Sequence, residues 1–237
     1  MTAPSLLLLA HGSSDSAATA SVLAVRDRLA ALRPEATCAA GFMEKARPSA
    51  AGALATLPRP VVVVPLLLAA AFHARVDIEG LVTDGVVAAD VLGDDAVLVA
   101  IATARLGSLP GSVVLATAGT SDATANATTT DFAERLSVAW GRPVVAGFAS
   151  AAEPTVAEAI SSSVPPVVVL RWLLSPGTFA DRIAEAARDA GAACTDVIGD
   201  HPALAELLLA RYDAAVSAHA LTDPEPSAPT SARTSAR

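Results

Sequence analysis

The chain has 237 residues, of which 53% are hydrophobic and only 3% aromatic, so its core must be built from Ala, Val and Leu. This length suits one large domain or two small ones. The formal net charge of −8 argues against a nucleic-acid partner, because a surface that binds phosphates must be basic.

Signals for secretion, membrane insertion and disulfide bonding are missing from the sequence. The longest apolar run, residues 61–72, contains a proline and is too short to span a bilayer. The first residues show neither the basic segment nor the cleavage site of a signal peptide. Cys38 and Cys194 lie far apart and are too few for an iron–sulfur cluster. We therefore expect a cytoplasmic protein that does not bind a membrane.

The first half of the chain alternates predicted strands and helices. An apolar strand over 5–10 is followed by a helix over 17–32, which ends before Pro34. The next predicted elements are a strand over 36–42, a helix over 47–57, a strand over 60–68, a helix from about His73 to Ala89 and a strand over 96–102. Strands separated by helices indicate a parallel sheet that is covered on both faces.

Three blocks of the first half recur in the second half in the same order. The matching pairs are 7–15 with 114–122, 41–49 with 147–155, and 61–78 with 167–184. Because the spacing between partners is nearly constant, the pattern indicates an internal duplication. We predict an α/β fold of two similar parallel-sheet lobes, residues 1–107 and 108–220, with an active-site cleft between them. The Pro-, Ser- and Thr-rich segment 221–237 is predicted to be a disordered tail.

Three titratable side chains distinguish the first lobe from its repeat: His11, Glu44 and His73. Their counterparts in the second half are Ala118, Ser150 and Phe179. Each of the three follows the carboxyl end of a predicted strand, and in a parallel sheet these ends share one edge, where active-site crevices form. The first lobe also carries less net negative charge than the second, −2 against −6, which favours it as the site for an anionic ligand.

Imidazole and carboxylate groups are suitable ligands for a first-row divalent metal, and imidazole can also accept a proton near neutral pH. Simpler interpretations exist for each residue alone: His11 as a turn residue, His73 as a helix cap, Glu44 as a solvated surface charge. Their joint loss in the second half favours a common role. Gly12 has a counterpart in Gly119, which indicates a tight strand-to-helix turn in both lobes.

Other polar residues near the strand ends are interpreted as structural. Ser13, Ser14 and Asp15 have polar counterparts in the second half, and we expect these residues to cap helices. The counterparts are Thr120, Ser121 and Asp122. His201 precedes a proline at a predicted helix start, and His219 stands beside the tail, so neither is expected to take part in chemistry.

The segments around the three titratable residues resemble the motifs of the sirohydrochlorin chelatases, a family of small cobaltochelatases and ferrochelatases. These segments are LLLLAHGSSD (6–15), GFMEKARPS (41–49) and PLLLAAAFHARVDI (65–78). The resemblance is strong over residues 5–105. It extends more weakly to about 215, where the chain resembles the degenerate repeat of the family's two-lobed long form. The sequence departs from the family pattern at Ala71, often glycine, and at Ser14, often arginine.

The resemblance implies a lyase that inserts Co²⁺ or Fe²⁺ into sirohydrochlorin without ATP, on the way to cobalamin or sirohaem. It implies that His11 and His73 handle the metal and accept pyrrole protons, and that Glu44 is their acidic partner. The metal is then a substrate, and no permanently bound cofactor is expected.

Sirohydrochlorin is rich in carboxylates, so we expect cations to line the cleft. The candidates, all near predicted strand ends, are Lys45 (the only lysine), Arg47, Arg75 and Arg171. Two other functions stay open: a non-catalytic carrier of tetrapyrrole or metal, and a histidine phosphatase. A phosphatase would need an arginine beside its histidine, whereas Ala10 precedes His11. A monomer is favoured because a two-lobed chain can build its own cleft.

Overall fold

The structure, a computed structural model, describes residues 3–69, 72–93, 95–219 and 221, and of Phe72 and His73 it describes only the backbone. The first half contains β1 (Ser5–Ala10), α1 (Ser16–Leu32), β2 (Cys38–Phe42), α2 (Ala50–Leu54), β3 (Val61–Pro65), α3 (Phe72–Glu79), β4 (Val86–Ala88) and α4 (Ala96–Leu106). Of the predicted tail, only Leu221 lies within the described residues.

The second half repeats this order of strands and helices. It contains β5 (Ser112–Thr117), α5 (Ala123–Trp140), β6 (Val144–Phe148), α6 (Val156–Ser162), β7 (Val167–Arg171), α7 (Thr178–Asp189), β8 (Ala193–Cys194) and α8 (Pro202–Ala218). Each half forms a four-stranded parallel sheet, in the orders β2-β1-β3-β4 and β6-β5-β7-β8. The predicted fold of two similar parallel-sheet α/β lobes is confirmed.

The central strand of the first sheet fixes where the candidate residues lie. Every side chain of β1 is buried, because helices cover both faces of the sheet. Ala10 at the end of β1 pairs with Phe42 at the end of β2, and Leu9 pairs with Pro65 at the end of β3. The carboxyl ends of three neighbouring strands therefore lie side by side at one edge.

The predicted strand over 96–102 is wrong, because these residues belong to helix α4. The Asp95 side chain caps the helix by accepting from the backbone nitrogen of Val97 over 2.9 Å. The buried positions Leu98, Ile101 and Ala102 follow helical spacing. A continuous apolar run does not show by periodicity whether it forms a buried strand or a buried helix.

The fourth strand of the first sheet instead comes earlier in the chain. The helix predicted from about His73 to Ala89 ends at Glu79, and β4 follows and pairs in parallel with β3. Helix α2 is also shorter than the predicted 47–57. It begins after Ser49, whose hydroxyl accepts from the backbone nitrogen of Gly52.

The last helix of each half packs against the other half. Helix α4 contacts α5, and α8 contacts β3 and α1. The Tyr212 hydroxyl of α8 donates to the carbonyl oxygen of Pro4 over 2.6 Å, and the Arg211 guanidinium donates to the carbonyl oxygens of Val91 and Leu92. One buried hydrophobic cluster consequently includes residues of both lobes.

The domain boundary near residue 107 stays a prediction. It would fall in the segment 107–111 between α4 and β5. The two halves nevertheless share one hydrophobic core, because α4 and α8 each pack against the other half. Within the part of the chain that the structure describes, no helix combines the length and the apolar character needed to cross a membrane.

Candidate active site

The three candidate residues of the first lobe all follow strands at the same sheet edge. His11 comes directly after β1, and Glu44 comes two positions after the end of β2. His73 lies in the first turn of α3, the helix that follows β3. The topology therefore brings the three backbone positions to one edge, as their places after predicted strands indicated.

Gly12 lets the loops after β1 and β2 approach each other closely. Its φ is +99°, and a Cβ atom at this position would lie 1.9 Å from the carbonyl oxygen of Glu44. Two backbone hydrogen bonds join the same loops: Met43 donates to Ala10, and Glu44 donates to His11, each over 3.0 Å. Glycine is therefore required at position 12 by conformation and by space.

The side chains of His11 and Glu44 meet above this backbone contact. His11 Nε2 lies 3.1 Å from Glu44 Oε1, and Lys45 Nζ lies 2.8 Å from the same oxygen. All three side chains are open to solvent, with exposed fractions of 63%, 46% and 58% for His11, Glu44 and Lys45. The Lys45 ammonium, assisted by His11, holds the pKa of Glu44 below its usual range.

The residue types of this pair determine what it can do chemically, and its catalytic role stays a prediction. An exposed imidazole nitrogen beside an ionised carboxylate can hold a divalent metal with open coordination positions, and it can also move a proton. The Glu44 carboxylate is ionised at neutral pH, and its lowered pKa extends the ionised form to lower pH.

The side chain of His73 lies outside the described residues, and its role stays a prediction. Among the side chains that are described, no three His, Cys, Asp or Glu groups come together in a way that could hold a metal ion. The described part of the site is therefore the His11–Glu44 pair with Lys45 beside it.

The second lobe has the same backbone frame without the titratable groups. Gly119 has φ +77°, and a Cβ atom there would lie 2.1 Å from the carbonyl oxygen of Ser150, which corresponds to Glu44. The Ser150 hydroxyl donates to the carbonyl oxygen of Ala118 over 3.0 Å, in the place of the His11–Glu44 contact. The second lobe therefore keeps the backbone structure of this edge. Its side chains, Ala118 and Ser150, could not ligate a metal as His11 and Glu44 could.

A model of the CbiX family matches the chain twice, over residues 5–109 and 112–215. The chain belongs to the CbiX family. This result confirms the family that the motifs of the first lobe indicated. It also confirms the enzyme class, since metal chelation by a lyase is the activity of this family.

Several solved structures have the same two-lobed fold. SirB from Bacillus subtilis with Fe³⁺ has a TM-score of 0.77 and 23% identity over 92% of this chain and 98% of that chain. The sirohydrochlorin chelatase SirB from Bacillus subtilis subspecies spizizenii in complex with cobalt has a TM-score of 0.72 and 19% identity, covering 91% and 97%. CbiX, the terminal enzyme for biosynthesis of siroheme in denitrifying bacteria, has a TM-score of 0.71 and 19% identity over 89% of this chain and 99% of that chain. No curated protein sequence matches the chain.

Two of the four predicted substrate-binding cations lie beside the pair in this CbiX chain. Lys45 contacts Glu44, and its backbone takes a left-handed conformation with φ +57°. Arg47 is exposed and, together with Glu44 and Lys45, lines a cavity of 270 Å³ behind the loop after β2. Lys45 is therefore the charge partner of Glu44, a role that the sequence did not indicate.

Arg75 reaches the other lobe. Its Nη2 atom lies 3.8 Å from Oδ2 of Asp122, and Asp122 Oδ1 caps α5 by accepting from the backbone nitrogens of Thr124 and Ala125. The predicted capping role of Asp122 is confirmed, and Asp15 caps α1 in the same way through Ala17. No local pattern in the sequence indicated the contact between Arg75 and Asp122.

Arg171 is the most enclosed of the four predicted cations, with 18% of its side chain exposed. It lies at the end of β7, where its Nη2 atom donates to Asp196 Oδ1 over 2.9 Å and its Nε atom donates to the carbonyl oxygen of Thr195. Its contacts with the segment after β8 give it a structural role. A contact with substrate stays a prediction.

The strand-end loops of the two lobes approach each other at two points. At one point Arg75 of the first lobe approaches Asp122 of the second. At another, a Cβ atom on Gly177, the residue before α7, would lie 3.7 Å from Ser13 Oγ and 3.8 Å from Asp15 Oδ2. Residues of both lobes therefore meet at this edge, and an active-site cleft between them stays a prediction.

A larger cavity, of 1110 Å³, lies away from this edge. It is lined mostly by apolar residues of α6, α7 and the start of β7, all in the second lobe, and none of the predicted site residues borders it. Its size therefore says nothing about the chemistry of His11 and Glu44.

Proposed function

We propose that this protein is a sirohydrochlorin chelatase, which inserts Fe²⁺ or Co²⁺ into sirohydrochlorin without ATP. Membership of the CbiX family supports this reaction. The observation that carries the proposal is the 3.1 Å contact between His11 Nε2 and Glu44 Oε1 at the edge that faces the second lobe. The same edge of the second lobe has Ala118 and Ser150 instead.

The chemistry of insertion explains why imidazole and carboxylate are needed together. The macrocycle must lose two pyrrole protons when a dication enters it, so the enzyme needs a proton acceptor close to the metal. His11 can accept a proton or hold the metal, and Glu44 can offset the metal's charge or relay a proton. In this proposal His73 is the second proton acceptor, placed on the first turn of α3.

The open site suits a metal that is a substrate. Because the pair leaves most coordination positions free, it would hold a dication weakly enough to release it into a macrocycle. Imidazole and carboxylate ligands accept both Fe²⁺ and Co²⁺, so relative insertion rates decide which product forms. The iron product leads toward sirohaem and the cobalt product toward cobalamin. The proposal uses no resident cofactor.

The remaining features of the proposal concern the partners and the cell. Sirohydrochlorin and the divalent metal are the ligands, and we propose a cytoplasmic monomer that binds neither nucleic acid nor membrane. Lys45, Arg47, Arg75 and Arg171 are proposed carboxylate contacts. Lys45, Arg75 and Arg171 would have to exchange a protein carboxylate for one of the substrate, because each already lies beside an acidic side chain.

Anaerobic insertion of Fe²⁺ and Co²⁺ into sirohydrochlorin, followed by the change in absorbance, tests the proposal. We expect insertion above the uncatalysed rate with at least one metal, and loss of this acceleration in His11→Ala and His73→Ala. Tight binding of sirohydrochlorin without acceleration by either metal would reject the enzyme and favour a carrier on the same fold.

A further inference from the structure

Arg211 of α8, in the second half of the chain, is bonded to three acceptors in the first lobe. Its Nε atom donates to the carbonyl oxygen of Val91 over 3.2 Å. Its Nη2 atom donates to the carbonyl oxygen of Leu92 and to Asp95 Oδ2, each over 3.1 Å. The Arg211 side chain is 26% exposed, so these charge-assisted bonds are partly shielded from water. One rigid guanidinium therefore fixes the segment 91–95, which follows β4.

The segment after β4 is bonded in turn to the loop between β3 and α3. The backbone nitrogen of Leu92 donates to the carbonyl oxygen of Leu67 over 3.0 Å. The backbone nitrogen of Gly93 likewise donates to the carbonyl oxygen of Leu68 over 3.1 Å. His73 stands five positions after Leu68, in the first turn of α3. A continuous series of hydrogen bonds therefore runs from the guanidinium on α8 to the loop that leads to His73.

A matching series of hydrogen bonds runs in the opposite direction, from the first half to the second. Arg105, in the last turn of α4, corresponds to Arg211 in the repeat. It donates to the carbonyl oxygens of Asp196 and Ile198 over 3.3 and 2.7 Å. The backbone nitrogen of Ile198 then donates over 2.8 Å to the carbonyl oxygen of Leu173, in the loop between β7 and α7. Each lobe therefore receives an arginine from the last helix of the other half.

The two series differ in the residue to which they lead. In the first lobe, the helix after the loop has His73 in its first turn, whereas α7 of the second lobe has Phe179 at the corresponding position. A phenyl ring can neither ligate a metal nor accept a proton, so at this position the series from Arg105 has no catalytic group to place. The series from Arg211 ends at the loop that places a candidate catalytic imidazole.

We propose that Arg211 is a positioning residue for His73, an inference that rests on the proposed chelatase function. By fixing the segment after β4, its guanidinium restrains the loop after β3 and with it the first turn of α3, where His73 lies. A misplacement of about 1 Å, even one that arises far from the chemistry, lowers a reaction rate by about 100-fold. In this way the second half of the chain supports an active site whose candidate catalytic residues all belong to the first lobe.

Paired substitutions of Arg211 and Arg105 test the proposal, because they remove the same kind of hydrogen bonds from the two lobes. The assay is anaerobic insertion of the metal that the wild type inserts faster. We expect Arg211→Gln to lower kcat about tenfold, with KM for sirohydrochlorin within about twofold of the wild type. Arg105→Gln should lower the free energy of unfolding to a similar extent and retain the wild-type kcat.

Lysine variants provide a milder pair if a glutamine variant does not fold. Arg211→Lys and Arg105→Lys keep the positive charge but cannot donate in the fork geometry of a guanidinium. We expect Arg211→Lys to lower kcat about threefold and Arg105→Lys to leave it unchanged.

Amide hydrogen exchange, followed by NMR, reports on the hydrogen bonds themselves without depending on activity. Exchange at Leu92 and Gly93 should be faster in Arg211→Gln than in Arg105→Gln, since loss of the Arg211 guanidinium frees the segment after β4. Equal kcat in the Arg211 and Arg105 variants of an active enzyme, or unchanged exchange at Leu92 and Gly93, would overturn the positioning role and leave the chelatase standing. A wild type that inserts neither metal would overturn both.

Discussion

Glu44 is joined to His11 twice. Its backbone nitrogen donates to the carbonyl oxygen of His11 over 3.0 Å, and its Oε1 atom lies 3.1 Å from His11 Nε2. This backbone bond joins the two loops that carry the pair and restrains the position of both residues. Preorganisation of this kind is what a site needs to present a metal in one orientation.

Gly12→Ala should disrupt this arrangement, because the new Cβ would overlap the carbonyl oxygen of Glu44. We expect the free energy of unfolding to fall by at least about 2 kcal/mol and insertion to slow by about 100-fold. The matched control is Gly119→Ala, which overlaps Ser150 in the second lobe and should destabilise the fold similarly. Denaturant unfolding and the insertion assay measure the two effects. A Gly12→Ala enzyme that inserts metal at the wild-type rate would contradict this role for the turn.

Lys45→Met should raise the pKa of Glu44, since the Lys45 ammonium is the main cause of its lowered value. A lowered carboxyl pKa adds stability above the ordinary pKa, and this stability is lost as the pH falls through the lowered value. The variant should therefore protonate Glu44, and release a metal, at a higher pH than the wild type does. Carbon-13 NMR of the carboxyl group measures the shift, with Arg47→Met as control. An unchanged Glu44 pKa in Lys45→Met would show that Lys45 is not its partner in solution.

Tyr212 is the only tyrosine of the chain, so the tyrosinate absorbance reports on this residue alone. Burial, aided by Asp213, raises its pKa from 10.0 to about 12. Because the folded pKa is the higher one, the corresponding stability is present below about pH 10 and is lost as the pH rises toward 12. Tyr212→Phe should remove this pH dependence along with the hydrogen bond to Pro4, at about 1 kcal/mol. Titration of Tyr212 near pH 10 in the folded protein would contradict the prediction.

Because helices α4 and α8 each pack against the other lobe, we expect the two lobes to unfold together. Leu8→Ala, in the buried core of the first lobe, should lower the free energy of unfolding by about 2–5 kcal/mol. Both tryptophans, Trp140 and Trp172, lie in the second lobe, and their fluorescence should nevertheless follow the shifted transition. Val82→Ala, at an exposed position of the first lobe, is the control. A tryptophan transition that is unmoved by Leu8→Ala would show that the lobes unfold independently.

The backbone positions of the candidate site could be predicted from the sequence because their signals are local. Apolar runs mark the buried strands, and His11 and Glu44 stand just beyond their ends. The duplication supplied an internal comparison, in which Ala118 and Ser150 showed which side chains the shared frame does not need. The structure places the two pairs at equivalent edges, where Gly12 and Gly119 approach the carbonyl oxygens of Glu44 and Ser150 in the same way.

The features that could not be predicted depend on long-range packing or on an unusual backbone conformation. The apolar residues 96–106 form a helix because they are enclosed between α5 and α8, which periodicity alone does not show. The approach of Arg75 to Asp122 joins residues of different lobes. Lys45 turns onto Glu44 through a left-handed backbone conformation that is uncommon for lysine, and no neighbouring residue type indicates it.

The most direct test compares equivalent substitutions in the two lobes in the anaerobic insertion assay. We expect His11→Ala and Glu44→Gln each to slow metal insertion into sirohydrochlorin by about 100-fold or more, since they remove the proton acceptor and the charge beside the metal. Ser150→Ala, at the position equivalent to Glu44, should insert metal at the wild-type rate. Insertion at the wild-type rate in His11→Ala and Glu44→Gln would contradict the assignment of the active site to the first lobe.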